Sequence, residues 1–142
     1  MAMEVTACTC AKLRKATRIV TQIYDAALKP TGLRATQFTL LTTIQKTGEL
    51  PISHLADALG MERTTLTRNL KPLVSRGFVE TEQESDRRVR RVRLTVSGTR
   101  ILKHAEPFWE GAQSRVVESL GKKQWGVLMG SLGQLVEASV EG

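Results

Sequence analysis

Apolar positions recur at intervals of three and four along most of the chain, the period of helices with one buried face. Leu13, Ala16, Val20, Ile23 and Ala27 lay such a face on a helix over 10–29, which Pro30 and Gly32 end. Thr36 is the expected N-cap of a second helix over 37–47, with Phe38, Leu41 and Ile44 inward and Gly48 as its stop. A short helix over 53–59 carries Leu55, Ala56 and Leu59, preceded by Ile52, and Gly60 closes it. A fourth helix follows at once over 62–76, with Leu66, Leu70, Leu73 and Val74 on its inner face and Gly77 at its end. Pro72 should kink its rear half and leave 62–71 free to enter a groove.

Beyond Gly77 the period drops to two. Phe78 to Gln83 reads as a strand, and Arg91 to Thr95 alternates polar and apolar residues as a half-buried strand does. Glu84 to Arg90 forms the loop between them. Two short helices joined by a tight glycine turn suggest helix-turn-helix, and a hairpin directly after them is its winged form. Thr95 then caps a long helix to Leu120, with Ile101, Ala105, Phe108, Ala112, Val116 and Leu120 as its stripe and a bend expected at Pro107. Gly121 breaks it, and a last helix over 122–140 carries Trp125, Leu128, Leu132, Leu135 and Val136.

The expected fold is mainly α with a small β-hairpin wing. A winged helix-turn-helix over 34–95 is flanked by dimerisation helices, 10–30 and 96–142, within a single domain spanning 1–142. The first, fifth and sixth helices have more apolar seam than one small winged domain can cover. A second copy could cover it across an isologous two-fold interface; the alternative is that these helices only pack on one another within one chain.

Composition narrows the class. The 142 residues suffice for one core, and 41% hydrophobic with 25% charged is the range of ordinary globular chains. No apolar run approaches the ~18 residues of a membrane span. The first residues include an acid and no apolar h-region, so no secretory signal is expected and the location is expected to be cytoplasmic, with no membrane partner. The net charge of +7 favours an anionic partner, and its placement says more than its sum. Over 62–76 four cations, Arg63, Arg68, Lys71 and Arg76, face the single acid Glu62. Over 84–93 five arginines, at 87, 88, 90, 91 and 93, face Glu84 and Asp86. Each segment is +3, so the second helix of the pair and the wing hold six of the seven net charges.

The outer face of 62–76 is Arg63, Thr64, Thr65, Thr67, Arg68 and Lys71. Short hydroxyl side chains let a backbone approach a groove floor. Arginine can give two hydrogen bonds to guanine, and threonine methyls can touch thymine. The bland alternative is a solvated helix face. On the wing, Arg87, Arg88 and Arg90 could enter a minor groove, while Asp86 is better suited to pairing with Arg88 and holding the loop's shape. The alternative there is a soluble hairpin tip guarding an edge. The partner these residues imply is double-stranded DNA with two half-sites one helical turn apart, a pseudo-palindromic operator. The competing function is a winged-helix module for protein or RNA, which should instead expose apolar residues on 62–76 or on the wing.

From Leu55 to Leu102 the chain resembles the MarR (multiple antibiotic resistance regulator) family. The resemblance is carried by LADALGMERTTLTRNLKPLVSRGFVE and SDRRVRRVRLTVSGTRIL, above all Asp86-Arg87-Arg88, then Leu94-Thr95, then Gly98. It implies an obligate dimer with one winged unit per subunit and repression of a neighbouring gene, relieved by a small molecule or by oxidation. It also implies a ligand pocket between the dimer helices and the winged part. Tyr24, Phe38, Phe108 and Trp109 are candidates to line that pocket, or are plain core.

Cys8 and Cys10, at the start of the first helix beside Lys12, Arg14 and Lys15, are candidate redox thiols. Some MarR relatives that sense organic hydroperoxides carry a reactive cysteine near that point. Were both residues helical, their spacing would point them to different sides and favour bridges between chains. The alternatives are incidental thiols or a weak metal site shared by two copies. His54 and His104 are too scattered to suggest metal binding, and no cofactor is expected. Without a phosphate loop, a histidine cluster or a nucleophile motif, no enzyme is expected.

Overall fold

The computed structural model describes residues 3–141, with side chains as far as residue 138. After a 3₁₀ turn, Val5–Ala7, come α1 (Thr9–Leu28) and a second 3₁₀ turn, Lys29–Thr31. The winged part follows as α2 (Ala35–Thr47), β1 (Leu50–Pro51), α3 (Ile52–Leu59), α4 (Arg63–Ser75), β2 (Val79–Gln83) and β3 (Arg90–Leu94). Two long helices complete the chain, α5 (Val96–Leu120) and α6 (Lys122–Glu141). Among the described residues no helix is long and apolar enough to cross a membrane.

The core sits where α2, α3, α4 and the sheet meet the first half of α5. Leu28, Leu41, Ile44, Leu55, Leu66, Leu73, Val79, Val92 and Leu102 are fully buried there. Each such side chain stabilises the fold by about 1.5–3 kcal/mol relative to exposure. Leu66, Leu70 and Leu73 seat α4. Val74, expected inward with them, is 40% exposed. Leu73 already fills the buried stripe, and the next position lies about 100° round the helix. Both α4 and α5 run unbroken through their prolines, Pro72 and Pro107.

Two local expectations change. The α2 helix begins at Ala35, one turn position before Thr36, so Thr36 lies inside it and Arg34 is the cap residue. Its first donors are satisfied from elsewhere: Arg34 N–H donates to Gln37 Oε1 at 3.0 Å and Ala35 N–H to Asp25 Oδ1 on α1 at 2.7 Å. An acceptor supplied from ten residues upstream leaves no local signature. The hairpin also gains a third strand. The order is β1-β3-β2, all antiparallel, with Leu50 opposite Val92 and Pro51 opposite Arg91. Two residues are too few for a visible alternation.

The flanking helices are less covered. The α1 helix packs along α5, and α6 packs on α5. Of the twenty residues in α1 only Leu28 is buried. Ile19 on α1 and Val127, Leu128, Met129 and Val136 on α6 are exposed.

Candidate nucleic-acid interface

The turn between α3 and α4 fixes how α4 is presented. Gly60 takes a left-handed conformation, φ 63° and ψ 32°, which a side chain disfavours. Its N–H returns to the α3 carbonyls, and Met61 N–H donates to Ala56 O at 2.9 Å. With Leu66, Leu70 and Leu73 inward, Arg63, Thr64, Thr65, Thr67, Arg68 and Lys71 all stand exposed on the opposite side.

The wing loop is held by its own acid. Asp86 Oδ1 accepts Arg88 N–H at 3.1 Å and lies 3.5 Å from Arg88 Nε, while Asp86 O accepts Val89 N–H at 2.9 Å. Arg88's side chain is 91% exposed, so the pair shapes the loop more than it stabilises the fold. Gln83 Nε2 donates to Arg87 O at 3.0 Å. Arg63 Nη2 donates to Arg88 O at 3.2 Å, tying the start of α4 to the wing loop.

Strand register sorts the wing arginines into two groups. Glu80 faces Arg93 and Glu82 faces Arg91 across β2 and β3, so these four share one side of the sheet. Arg93 lies 3.1 Å from both Glu80 and Glu82 and 3.7 Å from Glu49. Arg91 lies 3.2 Å from Glu84 and 3.4 Å from Glu49. Hydrogen bonds that Arg93 donates to Glu82 and Glu80 raise its guanidinium pKa above the ordinary value. These two arginines are neutralised by the protein's own carboxylates, so the local charge of 84–93 overstates what the wing offers a partner. The acids Glu80, Glu82 and Glu49 lie outside the 84–93 window and so escaped the local charge count. Pairing the two strands on paper would have found Glu80 and Glu82.

Arg90 belongs to the other side, with Val92. It lines a groove of about 280 Å³ with Thr67, Leu70, Lys71 and Val74 of α4, Ile52 and Thr81. Arg76 is also committed within the chain. Its Nη1 donates to Gly32 O at 2.9 Å, and its guanidinium lies 4.8 Å above the Phe78 ring. Within α4 and the wing, the cations clear of internal carboxylates are thus Arg63, Arg68 and Lys71 on α4 and Arg87 and Arg90 on the wing, with Arg88 shared with Asp86.

The other candidate residues fall in two places. Cys8 is the extended N-cap residue of α1 and Cys10 lies in its first turn; both thiols are exposed and unbridged. Because Cys8 is not helical, the divergence expected of two helical cysteines does not apply. Tyr24, Phe38 and Trp109 line one small cavity of about 160 Å³, with the Phe38 and Trp109 rings stacked at 5.9 Å. Tyr24 Oη donates to Gln113 Oε1, and burial pushes the phenol pKa up. Phe108 does not join them: it meets His104 edge-on at 5.7 Å and packs on the core. Among the described residues no group of three or more His, Cys, Asp or Glu could hold a metal ion.

The MarR family model matches residues 33–89, the segment that holds α2 through the wing loop. Over nearly the full chain the fold matches MosR, a transcriptional regulator of M. tuberculosis solved in complex with DNA. The TM-score is 0.85 and the identity 38%, covering 94% of this chain and 97% of that one. This chain belongs to the MarR family. MarR of E. coli, solved with operator DNA, shares the fold with a TM-score of 0.80 at 23% identity, covering 88% of this chain and 91% of that one. The E. coli transcriptional repressor MprA is 36% identical over 83 residues, which are 56% of this chain and 47% of MprA. This chain's match thus spans about half of that relative's length.

The MarR-like residues of this chain have local physical roles. Thr95 Oγ1 accepts Gly98 N–H at 3.0 Å and donates to Gly77 O at 2.6 Å, capping α5 and closing the hairpin base together. Gly98 passes against the backbone of Phe78, where a Cβ would stand 2.1 Å from the carbonyl oxygen. Asp86 closes the wing loop as described.

Proposed function

We propose that this chain is a sequence-specific DNA-binding transcriptional regulator that acts as a homodimer on a pseudo-palindromic operator. In this reading residues 34–95 read DNA and the helices over 10–30 and 96–142 hold the dimer. The front of α4 enters the major groove, where Arg68 reads a base and Thr64, Thr65 and Thr67 allow close approach, with Lys71 on phosphate. Arg87, Arg88 and Arg90 follow the flanking minor groove and backbone. Arg63 keeps the wing at a fixed distance from α4. One observation supports this most: Arg63, Arg68 and Lys71 on the front of α4 and Arg87 and Arg90 on the adjoining wing are exposed with no ion-pair partner among the described residues, and Arg63 and Lys71 lie beside the wing residues Arg88 and Arg90.

A protein-docking winged module would expose several apolar side chains on α4 or the wing. On α4 Val74 is exposed and Leu66, Leu70 and Leu73 are buried. Val74 also lies in the groove beside Lys71 and Arg90. The exposed apolar residues of α1 and α6 support the homodimer, because a second copy would cover them.

The reading is repression in the cytoplasm, released by a small molecule in the cavity around Tyr24, Phe38 and Trp109, or by oxidation of Cys8 and Cys10. Footprinting on the DNA upstream of the chain's own gene tests the operator: two protected half-sites about 10 bp apart are expected. Equal affinity for a scrambled duplex would overturn sequence-specific regulation. For the thiols, peroxide should weaken DNA binding by the wild type and not by the Cys8→Ser/Cys10→Ser variant. An equal response in both discards the redox route.

A further inference from the structure

Beside the stacked Phe38 and Trp109 rings lies a cavity of about 490 Å³, lined also by Thr39, Thr42, Glu106 and Glu110. That volume suits a small organic molecule. Its polar lining is one-sided. Thr39 Oγ1 donates to Ala35 O at 3.1 Å and Thr42 Oγ1 to Thr39 O at 3.0 Å, so both hydroxyls spend their protons on their own helix. They turn only acceptor lone pairs to the cavity. With those two hydroxyl protons spent, the Trp109 indole N–H is the one side-chain donor left among the six lining residues.

Glu106 and Glu110 are four residues apart on α5, the spacing at which like charges repel. Neither takes part in an ion pair among the described residues. Glu49, Glu80, Glu82 and Glu84, in contrast, are held by the wing arginines Arg91 and Arg93. Two carboxylates without an ion-pair partner, beside the stacked Phe38 and Trp109 rings, make the rim of this cavity anionic. An organic anion would meet repulsion there. A cation would relieve it and gain from the aromatic faces as well.

We propose that this cavity takes a planar aromatic cation, its ring against the Phe38–Trp109 wall and its charge beside Glu106 and Glu110. The proposal rests on reading this region as the effector site and adds the ligand's chemical class. The cavity lies between α2, part of the DNA-reading unit, and α5, the flanking helix. A ligand bridging them would therefore bias how the two sit.

Calorimetry on the whole chain with three probes of similar ring size tests it: N-methylquinolinium, neutral quinoline and naphthoate. The cation should bind about tenfold tighter than quinoline, and naphthoate should give no measurable binding. Glu106→Gln/Glu110→Gln should reduce cation affinity to that of quinoline and leave quinoline binding unchanged. A cation bound no tighter than quinoline in the wild type overturns the proposal, as does a preference that survives the double substitution. A parallel DNA titration separates the two readings. If the cation binds with the expected preference and DNA affinity does not move, the ligand site stands and the effector role falls.

Discussion

A methyl group at position 98 would have nowhere to go, because the Phe78 carbonyl oxygen stands 2.1 Å from where the Cβ would sit. Backbone must shift for it, unlike the end of a flexible side chain. Gly98→Ala should therefore destabilise the chain by about 1–3 kcal/mol. That is a fall of several degrees in Tm, read by thermal denaturation. Tyr24 makes a different prediction. Burial raises its phenol pKa, so the folded state holds the proton more tightly than the unfolded chain. Its contribution is complete below the ordinary phenol range and is lost as pH rises toward the raised folded value. Tyr24→Phe should flatten the decline in Tm as pH rises above the ordinary phenol value of about 10, relative to the wild type.

At the scale of elements, the wing divides into arginines that hold it and arginines free to meet a partner. Arg91 and Arg93 lie on the side with Glu49, Glu80, Glu82 and Glu84, whereas Arg90 faces α4. Arg90→Ala should lower the salt slope of DNA binding by about 1 per subunit and weaken all sequences alike. Arg93→Ala should leave that slope unchanged. On α4, Arg68→Ala should cost about 1–3 kcal/mol on the operator and relax preference at one base pair. Identical losses on operator and random duplex would remove Arg68 from base readout. The elements themselves were legible in sequence, because the periods of 3.6 and 2 and the glycines at 60, 77 and 121 mark them. What escaped was non-local. The Asp25 acceptor at the start of α2, the two-residue β1 and the Glu80–Glu82–Glu49 acids opposite the wing arginines depend on pairing between distant segments. The aromatic site was legible in part: Tyr24, Phe38 and Trp109 converge, while the helix phase turns Phe108 to His104.

For the whole molecule, α6 packs mainly on α5 within one chain and leaves Val127, Leu128 and Met129 exposed. In the proposed dimer Leu128→Glu would put a charge into the shared face. It should give a monomer in sedimentation with helical content retained, and weaken operator binding by about a hundredfold as the second half-site is lost. The most direct measurement of the central claim is the affinity of the wild-type chain and of Arg87→Ala/Arg90→Ala for its upstream DNA across a series of salt concentrations. The expected result is a steep linear fall of log K with log salt for the wild type and a shallower one for the variant. A flat line for the wild type, or identical slopes for the two proteins, would contradict the claim that α4 and the wing together neutralise DNA phosphates.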